Sequence, residues 1–338
     1  MISRTLQRRL WQGGFFLLFV FAPVFDIFRF DLSLGHFILF GQNWTLGLDA
    51  FQKGEMSTLQ AVFNIAWRVF LPIALVIGVG VFVSWKYGRL YCGWLCPHFS
   101  VVETINRLMQ RASGKPSIWE HKPLPQLQAD QRVVKPNRLF WIPAAIAVLL
   151  FAFLWALVLL TYLLPPQRIY LQLLQSELSG GPLIFLSVAT LVLCIEFTLA
   201  RHLFCRFGCA VGVFQSLAWM ANKKAMVVGF DATHADACRQ CNNACDNVCP
   251  MRLKPRTVKR KMFTCTNCSA CIQACDTHSA LSHHAPLLKW VKNECALPVS
   301  DRGFGRYPEI PAHCFKHDDA DSQVRNEPLQ ANIKETAS

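Results

Sequence analysis

Two cysteine runs near the C-terminal end constrain everything else this chain can be. The first reads Cys238-Arg239-Gln240-Cys241-Asn242-Asn243-Ala244-Cys245-Asp246-Asn247-Val248-Cys249-Pro250. The second reads Cys265-Thr266-Asn267-Cys268-Ser269-Ala270-Cys271-Ile272-Gln273-Ala274-Cys275. Each run closes with a fourth cysteine set slightly apart from the first three. Tight spacing lets one short loop wrap three corners of an iron–sulfur cubane, and in paired arrangements the fourth cysteine ligates the other cluster. The spacing therefore predicts one [4Fe–4S] cluster on Cys238, Cys241, Cys245 and Cys275, and a second on Cys265, Cys268, Cys271 and Cys249. Soft thiolates suit such iron, and Pro250 stops the chain from continuing as a helix beside Cys249. Zinc also takes four cysteines, but its usual grouping is two plus two across a longer loop. The first run departs from the regular pattern, with three residues rather than two between Cys241 and Cys245. That extra residue is expected to distort the first cluster or make it labile.

The chain has 338 residues, enough for two domains, and is 53% hydrophobic with a net charge of +13. Together these point to a membrane protein with basic cytoplasmic surfaces. The charge is not interleaved with aromatics in a nucleic-acid motif, so no nucleic-acid partner is expected. The 15 cysteines divide into eight in the two runs, four in two paired motifs, and Cys194, Cys295 and Cys314. Thiolate-rich cluster motifs belong on the reducing side of a membrane.

Hydropathy predicts four transmembrane helices, at about residues 10–28, 65–85, 139–164 and 182–200. The third is an uncharged run of 26 residues, long enough to cross a ~30 Å hydrocarbon core with tilt. Arg4, Arg8 and Arg9 precede the first span, which Pro23 and Asp26 interrupt. A signal peptide has a similar basic start and apolar run, but further spans follow, so this one reads as retained. Arg68, at the outer edge of the second span, is expected to snorkel to headgroups. Arg89, Arg107, Arg111 and other cations follow the second span, and Arg201, Arg206, Lys223 and Lys224 follow the fourth. By the positive-inside rule these loops, both termini and both cysteine runs are cytoplasmic. Residues 29–62 form an external loop with a small hairpin around Phe30–Phe40, where His36 is a turn residue. Residues 112–138 read as a surface linker, and residues 316–338 as a disordered tail.

The predicted fold is thus a multi-span α-helical membrane domain, residues 1–225, with a C-terminal α+β two-cluster ferredoxin-like module, residues 226–285. Residues 286–338 form a C-terminal extension.

A weak internal repeat carries further chemistry. Arg89-Leu90-Tyr91-Cys92-Gly93-Trp94-Leu95-Cys96-Pro97 follows the second span, and His202-Leu203-Phe204-Cys205-Arg206-Phe207-Gly208-Cys209 follows the fourth. Each is an aromatic–Cys–x–x–x–Cys motif leading into an amphipathic segment. Val101, Val102, Ile105, Leu108 and Met109 predict an interfacial helix in the first case. Val213, Phe214, Leu217 and Trp219 do so in the second. Cysteines four apart share a helix face, so Cys92, Cys96, Cys205 and Cys209 together can hold a metal or a further cluster. Soft thiolates favour Cu(I), zinc and iron–sulfur. Two pairs of buried hydrophobes, or reversible dithiols, are the plainer alternatives. Asp26 and Glu196 lie in or beside apolar runs, where ionisable groups are functional candidates, or else simply touch headgroups or a neighbouring arginine. Cys194 reads as a core residue. Cys295 and Cys314, with His283, His284 and His313, are a weaker metal-binding set.

Tyr91 through Pro97, Phe204 through Cys209, Phe214-Gln215-Ser216, Val227-Val228-Gly229-Phe230-Asp231 and the two cysteine runs resemble, in combination, the CcoG/FixG-type cytochrome oxidase accessory proteins. That type sits within the wider NapH- and NosR-type membrane polyferredoxins. The resemblance spans roughly residues 10–280. It implies an electron-transfer protein of the bacterial cytoplasmic membrane carrying [4Fe–4S] clusters. For the CcoG branch it implies reduction of Cu(II) to Cu(I) during oxidase assembly, with copper-delivery or oxidase-assembly proteins as partners. The chain differs from that branch in the extra residue before Cys245 and in lacking its β-rich C-terminal domain. Electrons would enter from a cytoplasmic redox partner or a quinol and end at the paired Cys motifs. Two readings of other classes stand beside this one. One is a NapH-like quinol dehydrogenase subunit feeding a respiratory reductase, with Asp26 or Glu196 handling protons. The other is a non-redox metal-binding membrane protein, which would be colourless and zinc-loaded.

Overall fold

The computed structural model describes residues 4–46, 51, 53–282, 285–300 and 310–315. The expected tail at 316–338 lies outside these, as do His283 and His284.

The chain opens on helix α1, Arg4–Phe21, whose first half carries Arg4, Arg8 and Arg9. Arg8 is not a surface cation. It is buried, donates to the Gly93 carbonyl at 2.8 Å and pairs with Glu103 at 2.6 Å. A three-stranded antiparallel sheet follows: β1, Phe28–Asp31; β2, His36–Leu39; β3, Gln42–Trp44. The expected hairpin therefore gains a third strand, and His36 sits in β2 opposite Asp31. Arg29 bridges Asp26 at 2.5 Å and Asp31 at 2.6 Å, which accounts for Asp26 as a local ion-pair partner.

Among the described residues three helices are long and apolar enough to cross a membrane: α2, Thr58–Tyr87, and then Arg138–Leu163 and Gly181–Ala200. α1 falls outside that set because its 18 residues include three arginines. Helix α2 starts at a capping box, with Gln60 N donating to Ser57 Oγ and Ser57 N donating to Gln60 Oε1. It stops at Gly88, whose φ of 75° suits glycine. Its most apolar stretch is 0% buried, as lipid contact requires. Arg68 donates to the Thr45 carbonyl at 2.5 Å, so it ties α2 to the loop after β3 rather than reaching for headgroups.

Helix α3, Pro97–Ser113, starts with proline in its first turn and ends at left-handed Gly114. Its apolar face, Val101, Val102, Ile105 and Met109, is buried in the main core and not spread on a membrane surface. The expectation of an interfacial helix fails here because Glu103 on the opposite side is claimed by Arg8. Helix α4, Arg138–Leu163, is capped by the Asn137 side chain, and its Ala152 and Ala156 are fully buried. Small residues there permit close helix approach. After the short helix α5, Pro166–Leu174, helix α6, Gly181–Ala200, packs against α4. α1 lies along α4 as well: Phe19 packs on Trp155 with ring centroids 4.7 Å apart, and Tyr162 donates to the Phe19 carbonyl. The sheet meets the far end, where Leu32 N donates to the Leu163 carbonyl.

α6 ends in a π-helical turn, Glu196–Ala200, and reverses at Arg201. Arg201 is 0% exposed and its guanidinium reaches Asn106, Met109 and the Pro116 carbonyl. Helix α7, Ala210–Ala221, runs beside α2 with Phe214 and Leu217 exposed and Trp219 buried. The two amphipathic segments of the repeat thus diverge, one facing the core and one facing out.

The cysteine runs lie between strands β4, Val227–Phe230, and β5, Leu288–Val291, which pair antiparallel. β5 lies beyond residue 285, so the closing strand of the module falls in what reads from sequence as extension. Helix α8, Ala270–Leu281, carries the end of the second run. This module docks on the end of α2. Asn267 Nδ2 donates to the Tyr87 carbonyl at 2.6 Å, and Trp94 Nε1 to the Asn267 carbonyl at 3.1 Å. Lys259, buried over the Trp219 ring, donates to the carbonyls of Trp219 and Asn222.

Two tests follow from this docking. A Cβ on Gly93 would stand 2.1 Å from the Thr266 carbonyl oxygen, a backbone atom. Gly93→Ala is expected to destabilise the docked module by about 1–3 kcal/mol, the usual cost of overpacking. Thermal unfolding and protease sensitivity in detergent would read it, and an unaltered melt would contradict the tight approach. His202 is held at about 4, below its ordinary 6.5, by burial first and by Arg201 next. The fold keeps it neutral while the unfolded chain takes up a proton near 6.5. Its contribution to stability is therefore full above that pH and lost progressively down to about 4. Melting temperatures between pH 7.5 and 4.5 should fall in the wild type more steeply than in His202→Gln.

Candidate iron-sulfur and thiol sites

The eight cysteines of the two runs gather into two separate sets. Cys238, Cys241, Cys245 and Cys275 line one cavity, with Arg256 and His278 beside them. Cys249, Cys265, Cys268 and Cys271 line a second, walled by Met251, Leu253, Met262 and Trp290. The fourth cysteine of each run lines the cavity of the other run, and all eight are free thiols. Each cavity presents four cysteine thiols and no carboxylate, a donor set suited to iron–sulfur.

The backbone explains how short loops do this. Asn267 (φ 51°) and Ser269 (φ 63°) take left-handed conformations in the second run. In the first run Asn242 (φ 46°) and Asn243 (φ 55°) do so consecutively, between Cys241 and Cys245. Asparagine tolerates this region better than most residues. The doubled left-handed step absorbs the extra residue, so Cys241 and Cys245 still face one cavity.

Burial dominates the electrostatics. It pushes the Cys265 thiol up to about 12 and the Cys249 thiol up to about 11, with the neighbouring Cys268 adding to both. Cys245 is raised by burial and by Asp246, against the pull of Arg256. As bare thiols these groups are protonated at neutral pH, so taking up iron releases protons.

The paired Cys motifs form a third cluster of thiols. Cys92 lies in a one-turn helix, Leu90–Trp94, and Cys96 directly precedes α3. Cys205 lies in a π-helical turn, Phe204–Gly208, and Cys209 directly precedes α7. Cys92 and Cys205 are buried. Burial raises Cys96 to about 11, and charge on Cys92 and Cys209 adds to it. The long-range fold therefore brings both halves of the repeat together. The four thiols are nonetheless spread wider than a single-ion cage. Among the described residues, the one set of three candidate ligand atoms mutually within 4.8 Å is Cys295, His313 and Cys314, where the two cysteines form a disulfide. Cys194 packs at the edge of the main core.

Arg89 links this thiol site to the second cavity. The side chain is 1% exposed. Nη2 donates to the Cys205 carbonyl at 2.7 Å and approaches Cys92 Sγ at 3.8 Å, while Nη1 reaches the Thr264 carbonyl at 3.5 Å. Thr264 directly precedes Cys265. A Cβ on Gly212 would lie 2.0 Å from Nη2, so glycine makes the room.

His98 and Gln215 complete the surroundings, and neither was singled out as a ligand by sequence reasoning. Cys92 Sγ donates to Gln215 Oε1 at 3.5 Å. His98 Nδ1 lies 3.6 Å from Cys205 Sγ, and its Nε2 lies 3.0 Å from Glu196 Oε2. The signal available for His98 was its position directly after Cys96-Pro97. Beside both cysteine cavities lies a larger cleft of about 420 Å³, lined by Arg4, Arg8, Arg9, Arg107 and Arg252 and touching Cys241, Cys249 and Cys268.

The Asn242–Asn243 step makes a prediction about iron content. Val at position 243 is strongly disfavoured in the left-handed region, where even an ordinary residue costs about 1–2 kcal/mol. Asn243→Val should lose iron selectively from the first cavity, halving iron per chain, whereas Asn243→Gly should keep it. Equal iron in both variants would remove the role assigned to that backbone.

Comparison with known proteins bears on this site. Residues 67–116 match a family described as a 4Fe-4S binding domain. The match includes Cys92 and Cys96 and none of the eight cysteines in the two runs. The methylamine utilization ferredoxin-type protein MauN of Paracoccus denitrificans is 27% identical over 194 residues, 57% of this chain and 59% of that protein. The putative electron transport protein YccM of Escherichia coli is 20% identical over 242 residues, 68% of this chain and 57% of that protein. An uncharacterized protein of Methanocaldococcus jannaschii is 25% identical over 213 residues, 63% of this chain and 71% of its own. The chain thus spans less than two thirds of the length of the first and second of these. No solved structure matches it. The chain is thus similar over residues 67–116 to a 4Fe-4S binding family and more widely to proteins named for ferredoxin-type and electron-transport roles, and three of its described helices are long and apolar enough to cross a membrane.

Proposed function

We propose that the chain is an electron conduit in the bacterial cytoplasmic membrane, carrying electrons from a cytoplasmic donor to the thiol site of Cys92, Cys96, Cys205 and Cys209. Cys238, Cys241, Cys245 and Cys275 hold one [4Fe–4S] cluster, and Cys265, Cys268, Cys271 and Cys249 hold the other. The clusters, when bound, supply one-electron transfer. The observation that carries this reading is Arg89, which contacts both the thiol site and the carbonyl next to Cys265.

The residues divide the work. The second cavity has an uncharged lining, which lowers the local polarity around its thiols. Arg256 stands beside the first cavity and offsets its negative charge. The arginine-lined cleft offers an acidic donor protein a docking place close to Cys241, Cys249 and Cys268. α1 serves as a fourth span, since it runs beside α4 from Glu103 at one end to the β-sheet at the other. Both termini and both cysteine runs then face the cytoplasm.

The acceptor substrate is Cu(II), reduced by one electron to Cu(I). Thiolates hold the softer product ion preferentially. This chemistry fits a role in assembling a haem-copper oxidase, with copper-delivery or assembly proteins as partners. Cys92→Ser and Cys205→Ser should each abolish cupric reduction while iron stays at about eight per chain. Reduction at the wild-type rate in both variants would sink the role of this site. Quinol-driven bleaching of the protein with no cupric reduction would point instead to a quinol dehydrogenase subunit.

A further inference from the structure

The pair Glu196–His98 is not needed by the electron conduit as described, yet it is built with care. His98 lies at the start of α3 and Glu196 in the π-helical turn that ends α6, almost a hundred residues away in the chain. π-helical turns inside longer helices occur frequently at functional sites. Here two of them converge, since Cys205 lies in the turn Phe204–Gly208. The imidazole is packed among the rings of Trp155, Phe197 and Phe204, which leaves it little freedom to turn.

The hydrogen bonding orients the ring. Nε2 donating to Glu196 Oε2 corresponds to the tautomer with hydrogen on Nε2. That leaves the Nδ1 lone pair directed at Cys205 Sγ, 3.6 Å away. A carboxylate holding the remote nitrogen of a histidine is the arrangement that fixes metal-binding imidazoles. The distance fits as well. An ion ~2.0 Å from nitrogen and ~2.3 Å from sulfur, at angles between tetrahedral and trigonal, places the two donors roughly 3.5–3.7 Å apart. Cys96 sits two residues before His98, at the N-cap of the same helix. His98 Nδ1 and Cys205 Sγ stand 3.6 Å apart, while no three ligand atoms of the thiol site, among the described residues, lie mutually within 4.8 Å.

We propose that His98 Nδ1 and Cys205 Sγ form the primary binding pair for a soft metal ion at the thiol site, with Cys96 as the sulfur beside it and Glu196 as the residue that positions His98. This rests on the reading of the thiol site as the place where copper is reduced. It adds that the product ion is held by a mixed nitrogen–sulfur shell. A mixed shell holds Cu(I) less tightly than an all-thiolate one and so favours release to a copper acceptor.

Copper K-edge X-ray absorption tests this on full-length, cluster-loaded protein in detergent, with less than one equivalent of Cu(I) added without oxygen. A His313→Ala background removes the imidazole of the Cys295–His313–Cys314 group from the measurement. The expected spectrum has one imidazole nitrogen together with sulfur. In His98→Ala the imidazole signal disappears, and competition with a chromophoric Cu(I) chelator shows at least tenfold weaker binding. Glu196→Gln keeps the imidazole signal while weakening binding about 10–100-fold, as loss of an orienting partner does. Iron content checks that each variant is folded. An all-sulfur shell with undiminished copper binding in His98→Ala overturns this inference and leaves the copper-reduction reading standing. No Cu(I) bound by the wild type overturns both.

Discussion

Arg89 holds the two halves of this protein together. It follows α2, in a stretch that sequence reading counts as part of a basic cytoplasmic loop. The fold buries it and shares its guanidinium among the Thr264 carbonyl, the Cys205 carbonyl and the Cys92 sulfur. Its Nη1 and Nη2 find acceptors while the buried Nε has none, so it is these two nitrogens that fix the three segments relative to one another. Gly212 leaves room for its Nη2, and the carbonyl of Gly93, a few residues on, accepts from Arg8 and Gln12. The docking of Thr266 and Asn267 against Gly93, Trp94 and Tyr87 is laid on top of that frame.

The same theme recurs in Arg8, Arg201 and Lys259. Arg8 and Arg201 belong to the cationic surplus that reads as a cytoplasmic label, and all three are buried against carbonyls, a carboxylate or a thioether. Part of the net charge is therefore structural. It serves carbonyls at helix ends and turns, among them Gly93 beside Cys92, Pro116, Trp219 and Asn222. Arg4, Arg9 and Arg107, which stay exposed, line the cleft beside both cysteine cavities.

The thiols share one physical condition, which is burial. Desolvation raises Cys96, Cys249 and Cys265 well above their ordinary range. Buried thiols of this kind are poor nucleophiles on their own and become useful when a metal replaces their protons. The difference between sites lies in what surrounds them. The second cavity has no charged wall, the first has Arg256, and the membrane-side thiols have Arg89 on one flank and the Glu196–His98 pair on the other.

The sequence by itself determined the features that depend on near neighbours. Long uncharged runs can satisfy their backbone only as helices, which is why α2, α4 and α6 were legible. Cysteines a few residues apart must share a loop, which is why the two cysteine runs were legible too. The tertiary structure decided what depends on distant partners. It turned the apolar face of α3 inward while giving Glu103 to Arg8. It also brought the two Cys pairs together and placed His98 between Glu196 and Cys205. No local pattern announces such contacts, because a side chain's partner across a hundred residues is set by how whole helices pack and not by its own spacing.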